Sequence, residues 1–137
     1  RDSSRLDTVE RDQISATLSE VPMLREVSTE TLQRVVEHMD HMHFSPGAWI
    51  IRGQGEDNRL FWVQSGRVDL YRPRFEGGQD YMASLGRGEH FGSMGRLGIS
   101  NTHDARAIEE THVLALDVDA LEHVLALDGE RGGKVVR

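Results

Sequence analysis

Cysteine is absent from this sequence, and proline and aromatic residues are scarce. The 137 residues include no Cys, 3 Pro and 6% aromatic residues. Without cysteine, the chain forms no disulfide, thiolate zinc site, iron–sulfur cluster or cysteine nucleophile. No apolar run approaches the roughly 18 residues of a membrane-spanning helix, and the polar residues 1–12 do not resemble a signal peptide. We therefore expect a segment that does not enter a membrane, while the lack of cysteine gives no evidence for a compartment.

Basic residues are in deficit. The chain carries 16 Lys and Arg against 23 Asp and Glu, a formal net charge of −7. An acidic domain repels the phosphates of nucleic acids and anionic membranes, so we expect it to bind neither. The chain begins with Arg1 instead of Met, which suggests a piece of a larger protein. The expected partners are other domains or subunits of that protein, and a homo-oligomer is possible.

The order of hydrophobic patterns predicts a single, mostly β domain with flanking helices. Residues 1–42 are predicted to be an N-terminal helical segment, because apolar residues recur at helical spacing before and after Pro22. Residues 43–117 are predicted to form an antiparallel β-roll or jelly roll, since short strand-like runs alternate with glycine turns. The strands are expected at 48–52, 60–64, 67–72, 81–85 and 111–116. Residues 118–137 are predicted to be a C-terminal helix that stops near Asp128-Gly129, followed by a tail.

Glycine, aromatic and aliphatic residues occur in a fixed order through this roll. They are Phe44, Gly47 and Ile51, then Gly55-Glu56-Asp57, Leu60, Phe61, Val63, Gly66 and Val68, then Gly88, Phe91 and Gly92, and finally Ala105, Thr111, Leu116 and Asp117. The set resembles the cyclic nucleotide-binding domain family, which includes the catabolite activator protein, regulatory subunits of cyclic-AMP-dependent kinase and gated ion channels. The resemblance covers residues 21–127, and it implies the family's β-roll.

The resemblance also implies a phosphate-binding cassette at about 86–106. In the family, backbone N–H groups and an arginine hold the cyclic phosphate, and a glutamate after the Phe-Gly pair accepts the ribose hydroxyl. The resemblance therefore implies a cyclic nucleotide as the candidate ligand, whereas the residues by themselves assign no cofactor. The residues matched to this cassette, as tentative ligand contacts, are Phe91, Gly92, Ser93, Met94, Arg96, His103, Asp104 and Ala105.

The cassette departs from the family at the residues that carry its chemistry. Ser93 stands where the family has glutamate, and His103 stands at the arginine position, followed by Asp104 where a small residue is usual. Losing the arginine removes a charge-assisted contact that contributes roughly 1.5–3 kcal/mol to the binding free energy. Asp104 is also expected to place a like charge near a phosphate. Together with the lost ribose acceptor, the loss of binding free energy is roughly 3–5 kcal/mol, which weakens binding about 200- to 5,000-fold. The resemblance and these departures together predict a non-catalytic regulatory or interaction module of a larger, bacterial and cytoplasmic (intracellular) protein. We expect that it does not bind cyclic AMP in the standard way.

An alternative interpretation keeps the ligand. Arg96 and His103 are then substitute contacts in a functional sensor of cyclic AMP, cyclic GMP or a cyclic dinucleotide. Arg106, just beyond His103, is a further cation. Arg96 and Arg106 either contact the ligand or face solvent.

Two other groups of residues are candidate sites. His38, His41 and His43 are weak metal-ligand candidates, since they straddle a predicted helix end and strand start, and we expect surface histidines. Ser93 lies in F-G-S-M-G, where the first glycine is adjacent to the serine, unlike the G-x-S-x-G of serine hydrolases. No enzyme is predicted. Phe75 is expected to be exposed in a loop, where it is a candidate contact with the parent protein or a second copy.

Overall fold

The computed structural model describes residues 7–52, 59–93 and 103–132. The helices within these ranges are α1 (Thr8–Ser19), a 3₁₀ helix (Pro22–Leu24), α2 (Thr29–Glu37) and α3 (Val118–Gly132). The strands are β1 (Asp40–Phe44), β2 (Trp49–Ile51), β3 (Arg59–Ser65), β4 (Val68–Pro73), β5 (Gln79–Leu85), β6 (His90–Ser93), β7 (Asp104–Ala107) and β8 (Thr111–Asp117). The predicted class, mostly antiparallel β with flanking helices, is confirmed.

Two four-stranded antiparallel sheets form the roll. Their strand orders are β1-β8-β3-β6 and β2-β7-β4-β5. The inner faces of the two sheets share one apolar cluster, because alternate residues of a strand point to the same face. Its buried members are Phe61, Val63, Val68, Leu70, Phe91, Ala105, Val113 and Ala115.

The helices cover the outer face of the first sheet. Leu60, Trp62, Leu114 and Leu116 alternate with the residues that face the roll, and they join a second apolar cluster with all three α-helices. Side-chain caps fix the helix starts, as when Asp117 Oδ1 accepts a hydrogen bond from Asp119 N at 2.7 Å. None of the described helices is both long enough and apolar enough to cross a bilayer.

All five predicted strands are present, with ends shifted by one or two residues. The prediction that helix continues through residue 42 is wrong, because α2 ends at Glu37 and Asp40 begins strand β1. Met42 and Phe44 pack against the roll cluster, and Met42 pairs with Val113 on β8. The pairing of β1 with β8 therefore makes this segment a strand, although its histidine-rich sequence has no clear strand pattern.

Three further differences concern short or terminal elements. Strands β6 and β7 were not predicted, since four residues each carry too little periodicity and depend on their neighbours for pairing. Helix α3 continues to Gly132, beyond the stop predicted at Asp128-Gly129. Phe75, in contrast, is fully exposed in the β4–β5 turn, as predicted.

A buried carboxylate attaches α1 to the roll. Glu10 is only 7% exposed, whereas its apolar neighbour Val9 is 66% exposed. Trp62 Nε1 donates to Glu10 Oε2 and Gln64 Nε2 donates to Glu10 Oε1, both at 3.2 Å. Because a buried carboxylate is costly without donors, these two bonds fix the position of α1 on β3.

We expect the substitution Glu10→Ala to lower the free energy of unfolding by roughly 2–4 kcal/mol. The change leaves the N–H groups of Trp62 and Gln64 buried without this acceptor, and each unsatisfied donor costs roughly 1–3 kcal/mol. Urea unfolding followed by far-ultraviolet circular dichroism measures the loss. Gln13→Ala is the control, since Gln13 is exposed on the same helix. Equal effects of the two substitutions would contradict a structural role for the Glu10 contacts.

Candidate ligand site in the β-roll

Phe91 anchors the start of the predicted cassette inside the roll. It is 1% exposed and stacks on Phe61, with ring centroids 5.0 Å apart and an interplanar angle of 15°. The two residues are also cross-strand partners, since β6 pairs with β3. Such an aromatic pair contributes roughly 0.5–1.5 kcal/mol beyond its burial. It therefore holds β6 against β3 at the point where the cassette begins.

Gly92 is required by the backbone at this point. Its φ is +110°, and a Cβ atom placed there would lie 2.4 Å from the carbonyl oxygen of Arg59. Only glycine combines a left-handed backbone with so close an approach to a neighbouring strand. The Phe-Gly pair thus has a structural explanation that does not depend on a ligand.

Arg59 is a residue of the site that the sequence analysis missed. It begins β3, where it pairs with Ser93 on one side and Asp117 on the other. Its guanidinium carbon lies 5.4 Å from the ring centroid of Phe61, and Nη1 lies 3.8 Å from Met42 Sδ. A permanent positive charge therefore stands at the inner wall of the roll. The sequence does contain a signal for this position of Arg59. It precedes Phe61 by two residues, and alternate residues of a strand lie on the same face.

Asp104 faces away from the roll interior. Ala105 is fully buried in the roll cluster, so its neighbour on β7 points to the other side of the sheet. There the carboxylate of Asp104 accepts a hydrogen bond from Gln79 Nε2 at 2.9 Å. The expectation that Asp104 places a like charge beside a phosphate in the roll is therefore wrong. Strand alternation, not the order of residues in a motif, decides which face the carboxylate occupies.

The other cassette residues are distributed as follows. His103 is half-buried directly before β7, and Ser93 is the last residue of β6. Met94 and Arg96 lie outside the described residues. Arg106 is exposed on the outer face, where its Nε donates to Gly47 O at 3.0 Å and its guanidinium lies 5.2 Å from the Trp49 ring. Of the two alternatives for Arg106, the structure supports the one that faces solvent.

The three histidines weighed as metal ligands have separate surroundings. His38 Nδ1 lies 2.8 Å from Arg34 O at the end of α2. His43 Nε2 lies 2.5 Å from Glu110 Oε2, and its ring centroid is 4.8 Å from that of His112. His41 is exposed on β1. Within the described ranges, no three His, Asp or Glu side chains are arranged to hold a metal ion.

The sequence matches the cyclic nucleotide-binding domain family over residues 41–128, from β1 into α3. The chain belongs to this family. The predicted resemblance is therefore confirmed, and the roll, the Phe-Gly pair and the flanking helices are features of a cyclic nucleotide-binding domain.

Individual relatives are similar over most of this chain. Glutaminase 2 of Bradyrhizobium diazoefficiens is 29% identical over 123 residues, which are 90% of this chain and 19% of the glutaminase. The Thermus thermophilus catabolite activator protein has a TM-score of 0.57 and 26% identity, covering 80% of this chain and 57% of that one. The regulatory subunit of a cAMP-independent protein kinase A from Trypanosoma cruzi, solved bound to guanosine, has a TM-score of 0.59 and 19% identity. Its match covers 89% of this chain and 47% of that one. The chain thus spans about a fifth of the curated relative.

We expect Gly92→Ala to destabilise the domain by roughly 2–4 kcal/mol, since the left-handed backbone costs roughly 1–2 kcal/mol and the clash with Arg59 O adds to it. Gly88→Ala is a matched control, because Gly88 has φ +87° but no atom within 4 Å of an added Cβ. The control should lose only the backbone contribution. Chemical denaturation compares the two variants, and losses of the same size would show that the close approach to β3 is unimportant.

Proposed function

We propose that this cyclic nucleotide-binding domain is a non-catalytic regulatory or interaction module that does not bind cyclic AMP in the standard way. The family membership supports a regulatory or sensor role. The finer proposal concerns the ligand, and it rests on the residues that the cassette contains.

One observation carries this proposal: the fold positions Phe91 and Gly92 at the start of the cassette, while the residues matched to the family's ligand contacts differ. Phe91 and Gly92 have the burial and backbone conformation that position the start of the cassette. The residue that follows them is Ser93, which has no carboxylate to accept a ribose hydroxyl. His103, at the position matched to the family's arginine, lacks a permanent charge and a bidentate fork. The roll can thus fold as the family does and still bind a cyclic phosphate weakly.

The Trypanosoma cruzi relative supports the proposal that such a domain regulates without standard cyclic AMP binding. That protein is a regulatory subunit of a cAMP-independent kinase, and it was solved bound to guanosine, a nucleoside that has no phosphate. A roll of this architecture therefore serves in a regulatory subunit that is independent of cyclic AMP. For the present chain, we take this as support for regulation without standard cyclic AMP binding.

The parent protein is proposed to supply the output. The glutaminase relative is about five times longer than the segment that this chain matches, so an appended regulatory domain is a consistent arrangement. We propose an intracellular parent whose other domains or subunits contact this module, with a homo-oligomer as a further possibility. Catalysis, where the parent has any, is proposed to lie in those other parts.

Isothermal titration calorimetry against cyclic AMP, cyclic GMP and cyclic di-GMP tests the proposal. We expect cyclic AMP to bind no more tightly than about 0.2 mM, because losing the arginine and glutamate contacts, at roughly 1.5–3 kcal/mol each, weakens a micromolar site by about 200-fold or more. The thermal unfolding midpoint should be unchanged by micromolar cyclic AMP.

Micromolar binding of cyclic AMP would overturn the proposal and favour the alternative, a functional sensor. In that case His103→Ala and Arg96→Ala should abolish binding. His41→Ala is the control for a lost imidazole, since His41 is exposed on β1 away from the cassette.

A further inference from the structure

Strand β3 places an arginine at one end of the roll's inner face. Arg59 precedes Phe61 by two residues, so both side chains lie on the face that carries the roll cluster. Of the three arginines on the described strands, Arg59 is half-buried, whereas Arg72 and Arg106 are exposed. The roll thus has an internal positive charge that is separate from the cassette positions matched by sequence.

The surroundings of Arg59 strengthen its interaction with an anion. Its guanidinium lies against the Phe61 ring, which stacks on Phe91, and it reaches the sulfur of Met42. Apolar neighbours lower the local dielectric constant, so a charge-assisted bond there is stronger than one at an exposed site. A guanidinium also offers five N–H donors in a planar fork, which suits a phosphate or carboxylate group.

The position of Arg59 is also suited to a ligand that enters at the cassette. Ser93, the residue that replaces the family's glutamate, is its cross-strand partner on β6. Asp117, the partner on β8, is a nearby negative charge, and its Oδ1 accepts from Asp119 N at the start of α3. Ser93, Arg59 and Asp117 are therefore neighbours across three strands. With serine in place of the family's glutamate, Asp117 contributes the one carboxylate among these three residues.

We propose that Arg59 is the anion contact of this roll, and that the roll selects small ligands that carry a phosphate or carboxylate group over their neutral counterparts. The inference rests on the proposed function, because it supplies a contact that Ser93 and His103 no longer provide. The ligands are small anions that bind with dissociation constants of about 0.2 mM or weaker, without the glutamate and arginine contacts of the standard cassette.

Nuclear magnetic resonance titrations with cyclic AMP and with adenosine test this inference, since the two probes differ by the cyclic phosphate. We expect wild-type protein to bind cyclic AMP about tenfold more tightly than adenosine. In Arg59→Gln this ratio should fall to within about threefold of unity, because a tenfold ratio corresponds to about 1.4 kcal/mol of charge-assisted contact. Arg59→Lys keeps the charge and should retain part of the ratio.

Arg106→Gln is the matched control, because Arg106 also lies over an aromatic ring but on the outer face of the other sheet. Its ratio should equal that of wild type. Both ligands are titrated against the same sample, so a partly unfolded variant changes both affinities together and leaves the ratio interpretable.

Three results would overturn the role of Arg59. They are a wild-type ratio near unity, a ratio that Arg59→Gln leaves unchanged, and an absence of saturable binding by either probe. An absence of binding by both probes is still consistent with the proposed function, since an interaction module needs no small ligand. Micromolar cyclic AMP binding that depends on His103 would instead overturn the proposed function, so the two failures are distinguishable.

Discussion

Strand β3 is the element on which the two cores depend. All five residues between Arg59 and Ser65 are buried, because the strand has helices on one face and the roll interior on the other. Phe61 and Val63 belong to the roll cluster, while Leu60 and Trp62 belong to the cluster with the helices. Since side chains alternate strictly, a shift of one residue in its register would exchange the two sets. The pairing of β3 with β6 and β8 therefore positions both the candidate site and the helical layer.

Glu10 makes the attachment of helix α1 to strand β3 specific. Apolar contacts between α1 and β3 stabilise the interface but tolerate sliding, because dispersion and burial have little directionality. The two hydrogen bonds from Trp62 and Gln64 are directional, and they satisfy a carboxylate that would otherwise be costly to bury. A polar contact thus fixes the position of α1 along the strand that also carries Arg59 and Phe61 on its other face.

The fold was predictable from the sequence where local signals agreed with pairing. Glycine turns and alternating apolar residues were enough to predict five strands. Strand β1 was missed because His41 and His43 interrupt its apolar pattern, and only pairing with β8 makes it a strand. Glu10 was missed because a carboxylate in an apolar stripe reads as a solvated position until its donors, more than 50 residues away, are known.

The candidate site was predictable only in part. A motif gives the order of residues along the chain, but it does not say which face of the sheet each side chain occupies. The Phe-Gly pair is explained by stacking and by the close approach of β6 to β3, so its presence reports on folding and not on a ligand. Asp104 is adjacent to Ala105 in the motif but lies on the opposite face of the sheet. Arg59 lies outside the residues that resemble the family, yet strand alternation places it beside Phe61. In this roll, the charge that a ligand would meet is therefore set by strand geometry, which is why changes at cassette positions alone do not make its interior neutral.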